Sequence, residues 1–345
     1  MVGRFHGDER KFAPEACEFW RVNYIPRSPL YPHTRFLRWL QTDSEENYRL
    51  RGNKEFSIES VGYEFNSLGY RGPEFDREPG EAVVMFLGDS NTLGVGMPWE
   101  GLWTSLVKRH LEQRWGIPVR QCNFGWGGTG TDYTAMMVHQ AVDVLKPDAV
   151  FILWSFISRM TWFADTRRQV HFTTNWPPSV EDVQEHSAYL RLATEAHGFF
   201  SYIRNFHFVY DRLLRLRIPY FWGNLEQFSQ EMLEPYMPLN GFAGPWKRMD
   251  LARDGLHAGL KSHEFFATCL ISAMDREGMN QPREKMLPIA KWPRDGSKQG
   301  QSTSEQRSVL DRMTAFAAQP IRELVGNHRF RRRVRAMRRK DPFIY

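Results

Sequence analysis

Three short stretches carry residues whose types and spacing could do chemistry. The first, VVMFLGDSNTLGVG (Val83–Gly96), is an apolar run that ends on Gly88-Asp89-Ser90 and passes into a polar, glycine-rich turn. The second, NFGWGGTGTD (Asn123–Asp132), is another glycine-rich turn after an apolar run. The third, RDGLHAG, sets Asp254 and His257 three residues apart just before a helical pattern. A serine hydroxyl is a weak nucleophile unless a base lies within hydrogen-bond reach and a further group orients that base. Ser90, His257 and Asp254 are the residue types for this: nucleophile, general base and the carboxylate that fixes the imidazole tautomer. An acyl-transfer site also needs donors aimed at the developing oxyanion. The backbone N–H groups of Ser90 and Gly128 are the candidates.

Each stretch also has a plainer reading. Ser90 could be an ordinary turn residue, and Asp89 reads as a short acid that bonds loop amides and shapes the turn. Asp254 could cap the following helix, and the glycines could simply permit tight turns. Gly125-x-Gly127-x-x-Gly130 also matches a dinucleotide fingerprint. That reading wants an acid at the end of the next strand, whereas Asp143 and Asp148 precede it and the strand ends Trp154-Ser155. Order and context favour the serine site, because all three stretches fall at the ends of core elements.

The blocks FLGDSNTLGVG, NFGWGGTG and DGLHAG, with the lead-in NSLGYRGPEF, resemble the SGNH or GDSL-type hydrolases over about residues 65–275. The resemblance implies a three-layer α/β/α sandwich on a flavodoxin-like central parallel sheet. It implies hydrolysis or transfer of O-linked acyl groups without metal or other cofactor. Ser90 would be the nucleophile, His257 the base, Asp254 its partner and Gly128 an oxyanion donor beside Ser90. The chain departs from the pattern in one block. The family places an Asn after the third strand to complete the oxyanion hole, and FILWSFISRMTWF (Phe151–Phe163) contains none. Ser155, Ser158 or Arg159 are the available substitutes.

The elements that must position these residues follow from hydrophobic pattern. Strands are expected at Val83–Leu87, Val119–Phe124, Ala149–Trp154 and Ile218–Asn224. Helices are expected at Pro98–Trp115, Thr131–Leu145, Glu181–His197, Phe199–Arg217 and Leu260–Glu277. Buried strands alternating with helices imply a parallel sheet covered on both faces. Active residues in such sheets collect at the carboxyl ends of the strands. Residues 1–80 read as an irregular, short-strand segment packed on the core, and 81–278 as the α/β domain. Residues 279–303 read as a polar linker, and 304–345 as a helix and Arg-rich tail.

Composition bounds the rest. The 345 residues are 41% hydrophobic, enough for a packed core. The 12 Trp and 25 Phe exceed what burial usually needs, which points to some lining a pocket or interface. No apolar run approaches a membrane span, the first twenty residues lack a signal-peptide core, and no metal-ligand spacing occurs. Cys17, Cys122 and Cys269 are too widely spaced for a disulfide framework. A cytoplasmic setting is the default expectation. The net charge of +6 is uneven, since eight Lys/Arg lie in HRFRRRVRAMRRK (His328–Lys340) and the remainder is near neutral. Phe330, Val334 and Met337 share a helical face there. The tail reads either as a docking helix for a protein or anionic surface or as a solvated tail, and specific nucleic-acid binding is not expected. The functional expectation is a metal-independent serine esterase or acyl-ester hydrolase, such as a carbohydrate or metabolite O-deacetylase, working through an acyl-enzyme on Ser90. A transferase to a non-water acceptor fits the same residues. The alternative is a catalytically weak or inactive scaffold subunit of a larger assembly, docked through the tail.

Overall fold

The computed structural model describes residues 24–28, 35–163, 169–173 and 183–283. The linker from residue 284 onward, the helix expected at 304–325 and the Arg-rich tail lie outside the described residues.

The chain begins with β1 (Phe36–Leu37), α1 (Glu45–Arg51) and β2 (Tyr63–Glu64), the two strands pairing antiparallel. The α/β part follows: β3 (Ala82–Leu87), α2 (Ser90–Leu93), a 3-10 turn at Trp99–Gly101, α3 (Trp103–Trp115), β4 (Val119–Asn123), α4 (Thr131–Leu145) and β5 (Ala149–Trp154). A hairpin of β6 (Arg159–Phe163) and β7 (Gln169–Thr173) comes next, with Arg159 opposite Thr173. The chain continues through α5 (Val183–Leu192), α6 (Glu195–Arg215), β8 (Tyr220–Asn224), α7 (Gln230–Leu233), β9 (Phe242–Pro245) and α8 (Leu260–Arg276). Five strands form one parallel sheet in the order β4-β3-β5-β8-β9.

Both faces of that sheet are covered, giving the three-layer α/β/α architecture expected from the sequence. β3 and β5 are buried at every position, as apolar strands without alternation should be. Their side chains still alternate between faces. Phe86, Phe151 and Phe221 stack from strand to strand at 5.4 and 5.3 Å. Trp103 of α3 meets Phe86 edge-on at 5.4 Å, and Phe266 of α8 meets Trp103 at 5.3 Å. On the opposite face, Met85, Ile152, Trp154 and Trp222 pack with Met136 and Met137 of α4 and Phe206 and Val209 of α6.

Several elements differ from expectation for identifiable reasons. The helix expected from Phe199 begins at Glu195, because Thr194 caps it by accepting from the His197 N–H at 3.1 Å. Gly198 lies inside it, where a Cβ would come 2.3 Å from the Ile157 carbonyl oxygen. The fifth strand, β9, reads FAGP and carries too much glycine and proline to look like a strand. The N-terminal segment is less irregular than expected, since Ser44 caps α1 by accepting from Asn47 N–H. No residue of α1 is buried, so it leaves no amphipathic pattern.

The N-terminal segment is bolted to the α/β part through buried charge. Arg253 donates to Asp43 Oδ1 at 3.0 Å and Oδ2 at 2.6 Å, and both side chains are fully buried. Tyr63 donates its hydroxyl hydrogen to the same Asp43 oxygen and accepts from Gly96 N–H at 2.8 Å. Arg71, also buried, donates to the carbonyls of Gly62, Leu93, Gly94 and Met97. Breaking a buried pair from one side leaves an uncompensated charge, at a cost of roughly 3–5 kcal/mol. Asp43→Asn is therefore expected to lower unfolding stability by about that amount in urea titration. A loss below about 1 kcal/mol would show that the pair is not what holds the segment.

Candidate active site

Ser90 follows β3 directly, as the first residue of α2, and is 5% exposed. The turn into it is possible only with glycine. Gly88 has φ +155, and a Cβ there would lie 2.2 Å from Thr92 Oγ1 and 2.9 Å from the Leu153 carbonyl oxygen. Asp89 is the N-cap of α2, its Oδ1 accepting from Asn91 N–H at 2.9 Å. This is the turn-shaping role expected of it. Its other oxygen, Oδ2, is held by Arg159 Nη1 at 2.5 Å, with the Asp89 side chain fully buried.

The second glycine-rich turn packs against the first. Trp126 N–H donates to Gly88 O at 3.1 Å, and Asn123 bridges the two by donating to Thr92 O and accepting from Gly125 N–H. The dinucleotide reading of this turn finds other occupants for its glycines. A Cβ at Gly125 would meet Leu93 N at 2.2 Å, one at Gly127 the Gln41 side chain at 2.2 Å, and one at Gly130 the Arg159 carbonyl oxygen at 2.7 Å. These glycines admit protein, not pyrophosphate. Gly128 has φ +78 and only the His171 Cβ near its own, at 3.8 Å. The N–H groups of Ser90 and Gly128 make no hydrogen bond among the described residues.

The third block forms a closed turn. Leu251 bridges Ala258, Ala252 N–H donates to His257 O at 2.8 Å, and Arg253 N–H donates to Gly96 O at 2.9 Å. That last bond docks the turn on the loop that follows Ser90. Gly255 has φ +69, and a Cβ there would lie 2.2 Å from the Arg51 carbonyl oxygen. Inside the turn, Asp254 Oδ1 accepts from the N–H groups of Leu256 and His257, each at 2.9 Å. Asp254 Oδ2 lies 2.7 Å from His257 Nδ1, with the carboxylate buried and the imidazole partly open to solvent. His257 Nε2 makes no hydrogen bond among the described residues. A neighbouring histidine has a different task. His263 Nδ1 accepts from Trp103 N–H at 3.1 Å, and burial drives its pKa down to about 3, so it caps α3 as a neutral ring.

The three residues offered in place of the absent Asn are placed differently. Ser155 donates its hydroxyl hydrogen to Thr129 O at 2.6 Å, so that proton is committed. Ser158 contributes its carbonyl oxygen to the Tyr189 hydroxyl, also at 2.6 Å. Arg159 starts β6 and lies over the Phe156 ring, with Nη1 on Asp89 and 3.4 Å from Ser155 Oγ. Its Nε and Nη2 have no hydrogen-bond partner among the described residues and are not sealed from solvent. Two further residues of the site have no motif in the sequence. Thr42 donates to Asp254 Oδ2, and Thr161 of β6 accepts from Gly130 N–H. Among the described residues no group of three His, Cys, Asp or Glu is placed to hold a metal ion, and no helix is long and apolar enough to cross a membrane.

Burial alone would push the Asp254 carboxyl up. The His257 charge and the hydrogen bonds from His257 and Leu256 outweigh it and hold the carboxyl at about 2, against 3.8 unperturbed. A carboxyl depressed on folding contributes stability above its unfolded value and loses it as pH falls toward the folded one. The shift corresponds to about 2 kcal/mol, present at pH 5 and lost between about pH 4 and pH 2. Urea titrations at pH 5 and pH 2.5 are expected to show this loss in the wild type, reduced by that amount in Asp254→Asn. Equal acid sensitivity of the two proteins would contradict the ion-pair geometry.

No protein-family model matches the chain, and no curated protein matches it in sequence. Among solved structures it is similar to TesA, at 13% identity and TM-score 0.37, over 56% of this chain and 98% of that one. It is similar to the family 3 carbohydrate esterase of Clostridium thermocellum at 16% identity and TM-score 0.35, over 58% and 99%. AlinE4, an SGNH-hydrolase family esterase, is similar at 14% identity and TM-score 0.27, over 71% and 100%. The chain has a five-stranded parallel α/β/α fold, and the solved structures it is similar to include esterases, one of them an SGNH-hydrolase family esterase.

Proposed function

We propose that the chain is a metal-independent serine esterase acting on an O-acyl ester of a carbohydrate or small metabolite. The observation that carries the proposal is the 2.7 Å contact between Asp254 and His257 Nδ1, in a turn hydrogen-bonded to the loop that follows Ser90. With Nδ1–H donated to Asp254, His257 Nε2 carries the lone pair that a general base needs. It takes the proton from Ser90 Oγ as that oxygen attacks the ester carbonyl. The same proton passes to the departing alcohol, leaving an acyl group on Ser90. Water then attacks the acyl-enzyme and gives a proton to His257, which passes it to the departing Ser90 Oγ as the carboxylic acid leaves.

The oxyanion is met by the N–H groups of Ser90 and Gly128, both unpaired among the described residues. Arg159 is the third donor in this reading, in place of the family's Asn. Its Nη1 is anchored on the acid next to the nucleophile, which leaves Nε and Nη2 to donate. A charged donor held by a buried carboxylate needs little reorganisation as charge develops. Ser155 is set aside because its proton is already given to Thr129.

Purified protein is expected to hydrolyse a short-chain nitrophenyl ester and acetylated sugars, and to be labelled by a fluorophosphonate at Ser90. Ser90→Ala should abolish both, and equal rates in the two proteins would sink the assignment. Arg159→Gln is expected to lower kcat by about 10²–10³ with a smaller change in KM, the usual effect of removing one oxyanion donor. An unchanged kcat would remove Arg159 from the reaction. Failure of the wild type to label would favour the scaffold reading instead.

A further inference from the structure

We propose that Thr42 is a positioning residue of this site, acting through the Asp254 carboxylate on His257. The inference rests on the assignment of His257 as the base and extends it to the N-terminal segment. Thr42 Oγ1 donates to Asp254 Oδ2 at 2.7 Å and lies 3.3 Å from His257 Nδ1. The oxygen that receives the imidazole N–H is therefore shared with a hydroxyl from a residue 212 positions earlier. Asp254 Oδ1 is already filled by two backbone N–H groups. With Thr42 in place, Oδ2 has a hydroxyl donor beside the imidazole N–H, so each carboxylate oxygen takes two donors.

The hydroxyl is itself held in place. Asp43, the next residue, forms the buried pair with Arg253, the residue before Asp254. Two consecutive residues of the N-terminal segment thus grip two consecutive residues of the catalytic turn. Asn53 N–H adds a bond to Arg253 O at 3.1 Å, and Leu40 and Asp43 close their own small turn by mutual backbone bonds at 2.8 and 2.9 Å. A threonine tethered on this scale is aimed, not merely adjacent.

The consequence is chemical. A hydroxyl donating to a carboxylate draws negative charge toward itself and away from the imidazole. Removing it leaves more charge on Asp254 to stabilise protonated His257, so the imidazole should titrate at higher pH. The other charged or titratable groups around the turn include Arg253 with Asp43 behind it, Asp250 accepting from the N–H groups of Lys261 and Ser262, Arg51 packed on Gly255, Arg248 donating to Leu256 O at 3.4 Å, and His263 of α8. None of them is removed by changing Thr42. The direction of the shift is therefore set by the hydroxyl alone.

The test is the titration of His257 in the resting protein, followed by NMR of its Cε1–H and assigned with His257→Gln. Thr42→Val keeps the shape and removes the donor. Its His257 is expected to titrate about 0.5 unit or more above wild type. The acid limb of kcat/KM should move up with it, and kcat should fall about tenfold from the loosened carboxylate. Thr42→Ser should restore both. If the valine methyl disturbs the turn and the variant does not fold, Thr42→Ala carries the same test. An unmoved titration in a folded Val or Ala variant overturns the proposal, as does a kcat loss shared equally by Thr42→Ser. The NMR readout needs no turnover. A failed esterase assay beside a shifted titration would reject the activity while sustaining the hydroxyl's effect on His257.

Discussion

The buried contact between Asp43 and Arg253 is the constraint on which the site depends. Neither ion has solvent, so each needs every hydrogen bond it can make. Arg253 spends its donors on both oxygens of Asp43 and on the carbonyls of Ile58, Val61 and Arg38. Asp43 takes the Tyr63 hydroxyl as well, and Tyr63 reaches Gly96 in the loop after Ser90. One buried charge pair therefore reports on three segments at once: the N-terminal segment, the loop after Ser90 and the turn that carries Asp254 and His257. Arg71 likewise ties the loop after Ser90 to the carbonyl of Gly62, with its guanidinium over the Tyr63 ring at 4.5 Å. Burial lowers its pKa to about 10, which still leaves it charged at neutral pH.

A second buried acid does comparable work on the other side of Ser90. Asp89 cannot be solvated, and α2 is too short to stabilise it unaided. Asn91 N–H satisfies one oxygen and Arg159 the other. The guanidinium that neutralises Asp89 comes from the block where the resemblance leads one to look for an Asn. An amide donor is neutral and needs no counter-ion, whereas a guanidinium in the same region would need an acid to hold it. Asp89 meets that need without a new residue. Its cap and its charge thus link the turn at Ser90 to Arg159 at the start of the β6–β7 hairpin.

Much of the framework was legible in the sequence because its signals are local. Thr131–Leu145 shows helical apolar spacing and ends where the pattern ends, and the expected helix is the observed one. The strands β3 and β5 are short apolar runs bounded by turn residues. Asp254 and His257 are three apart, so their contact needs no long-range information. The residues that were not legible act across distance. Thr42 sits in LQTDSEEN and Arg71 in GYRGPEF, with nothing in either stretch to announce a partner. Their targets are the carboxylate of Asp254 and the carbonyls of residues 93–97. The β6–β7 hairpin was missed for a related reason. Its strands carry Thr161 and His171, which bond one another at 3.2 Å; β7 alternates in burial, with Val170 and Phe172 inward, but β6 does not.

These long separations also decide how the site must be assembled. Closing a loop of some two hundred residues costs entropy that grows only slowly with length, so distance itself is a modest penalty. What it demands is that the partners be presented correctly when they meet. Asp43 is preset by its own turn with Leu40, and Arg253 is preset by its backbone bonds to Gly96 and Asn53. The buried pair can form well only when the sheet, the loop after Ser90 and the N-terminal segment are already in place. Because Thr42 and Asp254 flank that pair, the alignment of His257 is tied to the completeness of the fold. A partly folded chain would have the serine and the histidine in its sequence without a carboxylate held to serve them.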